Sequence, residues 1–248
     1  NFKPDIAVGV GGYASGPVLR AAAAKSIPIL IQEQNSYAGV TNKILAQKAT
    51  TICVAYEGME KFFPKEKIVL TGNPCRQDLV ISEENRKEGY RHFKLDPQKR
   101  TILMLGGSLG AATLNKSIVN AFTKINATED VQILWQCGKY YFNEMSNLQN
   151  KGEIPSNVYL SDFISRMDYA YSVADLVISR AGAGSISEFS ILGKPVILVP
   201  SPNVAEDHQT MNAKALADKD AALMMSDNIA IDMLFDVALS LVKNDREL

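Results

Sequence analysis

Short apolar runs alternate along this chain with longer segments whose apolar residues recur at helical spacing. Runs that are rich in β-branched residues and apolar throughout are typical of parallel strands buried on both faces, and the segments between them are typical of crossover helices. The pattern therefore predicts an α/β fold. In the first part of the chain it predicts strands at 6–10, 28–32, 51–56 and 67–72.

The alternation of apolar runs and helical segments stops near residue 72 and begins again at residue 101. Gly72 and Pro74 break regular structure, a polar stretch that ends near 99 follows, and a new series of apolar runs begins at 101. We interpret this as two Rossmann-like, doubly wound parallel-sheet domains: 1–78, a linker at 79–99, and 100–248. Because 1–78 supplies only four strands, we expect that domain to be incomplete and sequence to precede it. The strands predicted in the second domain lie at 101–107, 131–136, 157–163, 175–180, 195–200 and 221–225.

Composition narrows the function classes. Hydrophobic residues make up 46% of the 248 residues, and 26 basic side chains face 27 acidic ones, so the charge balance does not suggest a nucleic-acid partner. The three cysteines are isolated, which favours reduced thiols. No apolar run reaches the ~18 residues of a membrane span.

The stretch GVGGYASGP at 9–17 has two interpretations. Gly9, Gly11 and Ala14 match the dinucleotide fingerprint, with Glu33 at a plausible ribose distance, which suggests an NAD-dependent dehydrogenase. Gly16 and Pro17 disfavour that alternative because they fit better as the cap and first residue of a helix. What remains is a glycine-lined loop that either binds a phosphate or substrate or is a flexible turn.

A second glycine-rich loop, GGSLGAATLN at 106–115, directly follows an apolar strand. Its glycines let N–H groups from 106 to 110 converge, and Ser108 adds a hydroxyl, which suits a diphosphate. The loop lacks the Gly-Lys-Ser/Thr ending of a P-loop, so ATP hydrolysis is not expected.

The stretch RAGAGSISE at 180–188 also has two interpretations. Ser185 and Glu188 have the spacing of a capping box, in which both side chains satisfy the N–H groups of a helix start. Alternatively, the small residues before Ser185 let a ligand approach, and Glu188 accepts hydrogen bonds from a ribose diol.

Two further polar groups could face the same ligand. His208 and Gln209 open a helix after an apolar strand and could contact sugar hydroxyls, although His208 could also be a surface or cap residue. Arg76, within the linker motif GNPCR, could reach a phosphate or be solvated. Since no second His, Cys or paired carboxylate accompanies His208, we expect no metal.

In this order, the motifs GGYASGP, QEQNSYAGVTN, GNPCR, GGSLGA, DFISRM, SRAGAGSISE and HQTMNA resemble the bacterial MurG-type glycosyltransferases, from about residue 4 to 213. The resemblance implies the GT-B architecture, with two Rossmann-like domains facing a cleft. It also implies an inverting, metal-independent and cofactor-free transfer of N-acetylglucosamine from UDP-N-acetylglucosamine to the C4 hydroxyl of the muramoyl sugar of lipid I. The product is lipid II of peptidoglycan synthesis.

The resemblance also implies individual roles. Arg76 and Ser108 would lie near the donor diphosphate, Ile164 would contact uracil through its backbone, Glu188 would hold the ribose, and His208 with Gln209 would contact the sugar. Further donor-side positions are Asn35, Ala183, Gly184, Ser185, Ile186 and Ser187, and the acceptor-side positions are Gly11, Gly12, Ser15 and Gly16.

The family's first glycine-rich loop, with the histidine proposed as general base, would lie upstream of residue 1, and His92 cannot replace it. We therefore expect these 248 residues to bind UDP without transferring sugar. The resemblance implies peripheral attachment to the cytoplasmic face of the plasma membrane through the N-terminal domain. Alternatives are a UDP-N-acetylglucosamine 2-epimerase, which would need more acid/base side chains, and a non-catalytic nucleotide-sugar binding module.

Overall fold

The computed structural model describes residues 2–248 and contains two parallel sheets. The N-terminal sheet has four strands in the order β1-β2-β3-β4, which confirms all four predicted strands to within a few residues. Its strands are β1 (Ala7–Gly9), β2 (Ile29–Glu33), β3 (Thr51–Val54) and β4 (Ile68–Leu70), and its α-helices are α1 (Ser15–Ala24) and α2 (Val40–Leu45). Turns of 3-10 helix lie at Ala46–Lys48, Met59–Lys61 and Lys65–Lys67.

The C-terminal sheet has six parallel strands, again as predicted. They are β5 (Arg100–Leu105), β6 (Val131–Gln136), β7 (Val158–Ser161), β8 (Leu176–Ser179), β9 (Val196–Leu198) and β10 (Leu223–Met224). The helices around them are α4 (Ala112–Asn120), α5 (Phe122–Asn126), α6 (Phe142–Asn150), α7 (Met167–Val173), α8 (Ala183–Leu192), α9 (His208–Ala217) and α10 (Asp227–Leu241), with a 3-10 turn at Ala205–Asp207.

The order of these six strands creates a crevice at the centre of the sheet. Spatially they run β10-β9-β8-β5-β6-β7, so the chain leaves β5 toward β6 and β7 and then returns to β8 on the other side. The loops after β5 and β8 therefore diverge from neighbouring strand ends, where Leu105 pairs with Ser179. In open α/β sheets, ligands bind at such a switch point, outside the carboxyl ends of the strands.

The six-stranded sheet is covered on both faces. Along β5, Ile102 and Met104 belong to one buried cluster, whereas Leu103 and Leu105 belong to another. This explains why its strands are continuously apolar. The four-stranded sheet contributes to a single buried cluster, and Val8 on β1 is 59% exposed.

The predicted linker contains the helix α3 (Glu83–Phe93), which Ser82 caps by accepting a hydrogen bond from the Asn85 N–H. This helix packs closely against α7, since a methyl group on Gly89 would lie 2.7 Å from Val173 Cγ1. Arg86 also forms an ion pair of 3.3 Å with Asp175. Helix α3 therefore lies on the six-stranded part, while the domain limits drawn from the sequence stay predictions.

Side-chain amides join the two parts across the cleft. Asn212 on α9 is buried, and its Oδ1 accepts hydrogen bonds from the backbone N–H (2.9 Å) and hydroxyl (3.2 Å) of Ser36. Its Nδ2 donates to Asn35 Oδ1 at 3.0 Å. Asn73 donates to the Ser187 hydroxyl on α8, also at 3.0 Å. The N-terminal loops are thus hydrogen-bonded directly to the helices that follow β8 and β9.

Candidate functional site

A cavity of about 740 Å³ lies at the switch point, outside the ends of β5 and β8. It is walled by the glycine-rich loop after β5, the start of α8, the loop after β9 and the Arg76 side chain from the linker motif. Its volume falls in the range of small-molecule sites. The predicted site residues that line it are Arg76, Ser108, Ile164, Ser185, Glu188 and Gln209.

The start of α8 presents unpaired N–H groups to this cavity. The helix begins at Ala183 with Gly182 as its N-cap, and the first helical bond runs from the Ile186 N–H to Gly182 O. The N–H groups of residues 183–185 have no intrahelical acceptor and carry the positive end of the helix dipole. A methyl group on Gly184 would meet no atom within 4 Å, so the space above the helix start is open to a ligand.

The capping-box interpretation of this segment is wrong. The helix begins two residues before Ser185, and no side chain of the described part of the chain caps it. The next two predicted donor residues do not line the cavity: Ile186 is buried in the core, and the Ser187 hydroxyl donates to Ala183 O at 2.8 Å. Their assigned contacts stay predictions.

Glu188 lies one turn into α8 with its carboxylate facing the cavity. Its Oε2 accepts a hydrogen bond of 2.7 Å from the Tyr171 hydroxyl, and its Oε1 lies 3.9 Å from Arg76 Nε. The Glu188 side chain is 22% exposed and that of Arg76 is 48% exposed. The second contact is too long for a hydrogen bond, so carboxylate and guanidinium both retain capacity for a ligand.

The loop after β5 forms a second set of donors beside the first. Gly107 and Gly110 have φ of +81° and +96°, and a methyl group on Gly110 would lie 2.3 Å from Cys137 O, so that position requires glycine. The loop leads into α4, whose start faces the same cavity. One expectation is corrected here: the Gly106 N–H already donates to Gln136 O at 3.2 Å, which leaves the N–H groups of 107–110 for a ligand.

Gln136, which sequence reasoning missed, holds two walls of the cavity together. Its Nε2 donates to Gly107 O at 3.0 Å, and its Oε1 accepts the Ile164 N–H at 2.8 Å. The Ile164 side chain is buried, so a base could meet only its backbone, and the carbonyl oxygen is the group left free. The sequence signal that could have identified Gln136 is a polar residue at the end of a buried strand.

Gln209 and His208, adjacent in sequence, face different surroundings. The Oε1 of Gln209 accepts the backbone N–H groups of Ser201 (2.9 Å) and Ala181 (3.2 Å), so its Nε2 is left to donate into the cavity. His208 is not among the lining residues; its Nε2 lies 2.9 Å from Glu206, and its ring lies 6.5 Å from that of Tyr37. Its sugar contact stays a prediction.

Arg180 is a second cation at the cavity that the sequence analysis quoted but did not assign. Its guanidinium donates to Val199 O and Pro200 O at 3.0 and 3.2 Å and forms an ion pair with Asp227. Asp227 also accepts a hydrogen bond of 2.8 Å from Thr113 on α4. Arg180 is therefore fixed in place, whereas Arg76 has only long ionic contacts. The sequence signal that could have singled out Arg180 is its position immediately after β8.

The N-terminal glycine-rich loop lies apart from this cavity. Helix α1 begins at Ser15, so the expectation that Gly16 caps it and Pro17 opens it was wrong by two residues. The Ser15 hydroxyl donates to Gly12 O at 2.9 Å. Gly16 lines a separate cavity of about 480 Å³ with Ile44, and the acceptor roles of Gly11, Gly12, Ser15 and Gly16 stay predictions.

Glu33 provides evidence against the dinucleotide interpretation. It is buried, and each carboxylate oxygen accepts two hydrogen bonds: Oε1 from the N–H and Nδ2 of Asn35, and Oε2 from the Gly39 N–H and Asn42 Nδ2. These bonds use its four acceptor positions, so none is left for a ribose.

Residues 2–248 contain no group of three or more His, Cys, Asp or Glu arranged to hold a metal ion. Of the helices within the same range, none is long and apolar enough to cross a membrane.

Two parallel α/β domains around a cleft, with paired helix starts at the switch point of the second, define the GT-B class of nucleotide-sugar enzymes. Domain models agree: that of the glycosyltransferase family 28 C-terminal domain matches residues 101–248, and that of the N-terminal domain matches 1–54. The chain belongs to glycosyltransferase family 28. This confirms the predicted fold class and resemblance.

Curated relatives share a common name, UDP-N-acetylglucosamine--N-acetylmuramyl-(pentapeptide) pyrophosphoryl-undecaprenol N-acetylglucosamine transferase. The protein from Parabacteroides distasonis is 62% identical over 100% of this chain and 67% of its own length. That from Flavobacterium psychrophilum is 51% identical over 99% of this chain and 65% of its own length. The chain therefore spans about two thirds of the length of these relatives.

Solved structures agree in fold. The crystal structure of Acinetobacter baumannii MurG is 33% identical, with a TM-score of 0.73, and the match covers 98% of this chain and 66% of that one. A UDP-GlcNAc 2-epimerase from Neisseria meningitidis has a TM-score of 0.63 at 16% identity, over 98% of this chain and 68% of that one. The second likeness shows the fold alone.

Proposed function

We propose that this chain binds UDP-N-acetylglucosamine in the 740 Å³ cavity and takes part in transferring the sugar to a lipid-linked muramoyl pentapeptide, the acceptor in its relatives' names. The observation that carries the proposal is the convergence of two helix starts, a free guanidinium and a free carboxylate on one cavity. Together they offer donors for a diphosphate and an acceptor for a sugar diol.

The diphosphate lies between the start of α8 and the loop at 107–110, with Arg76 on its open side. Helix N-termini bind anions through unpaired N–H groups and the dipole, and arginine adds a bidentate, charge-assisted contact. These donors are fixed before the ligand arrives, since Gln136 holds one loop and the α8 helix holds the other. Removing one preorganised donor of this kind costs ~3 kcal/mol of transition-state stabilisation.

The nucleoside and the sugar occupy opposite ends of the cavity. Glu188 accepts the ribose hydroxyls, the Ile164 carbonyl faces the base, and Gln209 Nε2 donates to the N-acetylglucosamine. Flipping the Gln209 side-chain amide would lose the hydrogen bonds that its Oε1 accepts from two backbone N–H groups. Its Nε2 therefore faces the sugar as a hydrogen-bond donor. Asn35 lies across the cleft, held by Asn212.

The reaction is a single inverting displacement. The acceptor C4 hydroxyl attacks the anomeric carbon and gives its proton to a general base, which the family resemblance places upstream of residue 1. The bond to the diphosphate oxygen breaks, and UDP leaves with the negative charge. The helix starts and Arg76 stabilise that charge, so the proposal assigns no role to a metal ion. The acceptor diphosphate approaches the N-terminal loop at Gly11–Gly16, and the chain works as a peripheral protein on the cytoplasmic face of the plasma membrane.

Crystals soaked with UDP-N-acetylglucosamine test the proposal directly. We expect density for the diphosphate beside residues 183–185 and 107–110, with the ribose against Glu188. Isothermal titration calorimetry with UDP and with NADH provides the matching solution test, in which only UDP should bind. Density elsewhere, or binding of NADH in place of UDP, would show that the proposed function is wrong.

A further inference from the structure

The Glu188 carboxylate has one hydrogen-bond donor among the described residues, and that donor is a buried tyrosine. Tyr171 lies on α7, is 2% exposed, and places its hydroxyl 2.7 Å from Glu188 Oε2. Its ring packs edge-on against Phe189, the next residue along α8, with centroids 5.9 Å apart. The position of the phenol is thus fixed by the same helix that carries Glu188.

The hydroxyl keeps its proton and donates it. Burial, and then the hydrogen bond to Glu188, raise the pKa of Tyr171 far above its usual range. A protonated phenol donates to a carboxylate in a charge-assisted hydrogen bond, which is stronger than a neutral one. Of the two Glu188 oxygens, Oε2 is therefore held from the core side, and Oε1 is directed toward the cavity.

Arg76 competes for the same carboxylate. Its Nε lies 3.9 Å from Glu188 Oε1, and opposite charges at this distance attract. If this gap closed, the two groups would form a hydrogen-bonded ion pair. That pair would occupy both the guanidinium assigned to the diphosphate and the carboxylate assigned to the ribose.

We propose that Tyr171 is a positioning residue that holds the Glu188 carboxylate toward the ribose site and prevents it from closing onto Arg76. The inference rests on the proposed function, because it assumes that Glu188 reads a ribose diol. It makes Tyr171 a determinant of ribose over 2′-deoxyribose specificity, although it does not itself contact the nucleotide.

The test measures the affinity of UDP and of 2′-deoxyuridine diphosphate by calorimetry for wild type, Tyr171→Phe, Glu188→Ala and the double variant. Phenylalanine fills the same space, so the ring packing is retained. We expect Tyr171→Phe to weaken UDP binding roughly tenfold, equivalent to ~1.4 kcal/mol, and to weaken the deoxy analogue much less. Because Tyr171 acts through Glu188, the double variant should bind UDP no more weakly than Glu188→Ala alone.

Tyr56→Phe is the matched control, since the buried hydroxyl of Tyr56 has no hydrogen-bond partner within residues 2–248 and lies in the N-terminal part. It should leave both affinities unchanged. If Tyr171→Phe weakens both nucleotides equally, or if its effect adds to that of Glu188→Ala, the tyrosine is only structural and the inference is overturned. If wild type fails to bind UDP, or binds it no better than the deoxy analogue, the proposed function fails first.

Discussion

Two glutamates that follow glycine-rich loops, Glu33 and Glu188, look alike in sequence and behave differently in the structure. The number of residues between each glutamate and the glycine-rich loop before it suits a carboxylate that binds ribose. Among the described residues, Glu33 accepts four hydrogen bonds, from Asn35, Gly39 and Asn42, and is 3% exposed, whereas Glu188 accepts one, from Tyr171, and its side chain is 22% exposed. The comparison teaches that free acceptor capacity distinguishes a carboxylate that is available to a ligand from a structural one.

The largest effect should come from Glu33→Ala. Removing this buried carboxylate takes the acceptor from the partly buried Asn35 and Gly39 N–H groups and leaves the buried Asn42 amide with a long contact of 3.4 Å to Gln32 O. We expect the free energy of unfolding to fall by about 3–5 kcal/mol. Urea denaturation measures the loss. Glu66→Ala, at an exposed site in the same part of the chain, should change stability by less than ~0.5 kcal/mol.

Glu188→Ala should reverse that pattern. The variant loses an acceptor for the ligand and, within the protein, the bond from the buried Tyr171 hydroxyl. We expect UDP to bind ~10–100-fold more weakly, equivalent to about 1.5–3 kcal/mol, and the free energy of unfolding to fall by about 1–2 kcal/mol, less than in Glu33→Ala. In steady-state assays of the full-length enzyme, the donor Michaelis constant should rise while acceptor use is unchanged. Equal losses of stability in the Glu33 and Glu188 variants would contradict the distinction between the two carboxylates. The control is Glu144→Ala on α6.

Arg76→Ala tests the cation beside Glu188. Its side chain has only long ionic contacts, to Glu188 and to Asp78 at 3.8 Å, so the protein loses little when it is removed. We expect UDP affinity to fall roughly tenfold, because a charge-assisted phosphate contact is lost. Uridine, which has no diphosphate, should bind equally to both proteins. Arg246→Ala, remote from the cavity, is the control, and a matching loss for uridine would argue against a diphosphate contact.

The smallest effect concerns Lys194, a charged group that, like Glu33, has an internal partner. Its Nζ donates to Ala174 O at 2.9 Å, and burial, followed by the nearby Arg86 charge, lowers the pKa of Lys194 to about 8. The folded protein therefore releases this proton near pH 8, while the unfolded chain holds it until about 10.5. Between those values the unfolded chain binds more protons, so the cost of holding a charged Lys194 in the fold, fully present below about pH 8, is lost as pH rises toward 10.5.

Lys194→Met should accordingly be more stable relative to wild type at pH 7 than at pH 9.5, by about 1 kcal/mol or more. Urea titrations at the two pH values measure the difference. Lys116→Met, at an exposed position on α4, should show no such dependence on pH, and UDP binding should be unchanged in both. A gap between Lys194→Met and wild type that is constant with pH would contradict this prediction.

The pattern of short apolar runs between helical segments predicted the ten strands and the α/β class, because parallel strands in a covered sheet are continuously apolar and are joined by crossover helices. The start of α1 was placed two residues late, since Ser15 and Gly16 continue the helix before Pro17. Similarly, Ser185 has the residue type and spacing of a capping box, yet the helix starts at Ala183. Element ends depend on local hydrogen bonds that several sequences satisfy equally well.

The sequence by itself determined the layers of this protein, the glycine positions that free backbone N–H groups, and the motifs shared with its family, because each depends on neighbours along the chain. Only the tertiary structure decided which polar groups already have hydrogen-bond partners within the protein and which keep capacity for a ligand. Gln136 bonds to two loops, Asn212 joins the two parts, and Tyr171 donates to Glu188, and each of these contacts needs a partner that is distant in sequence. A side chain's remaining hydrogen-bonding capacity is a property of its surroundings, and folding alone brings those surroundings together.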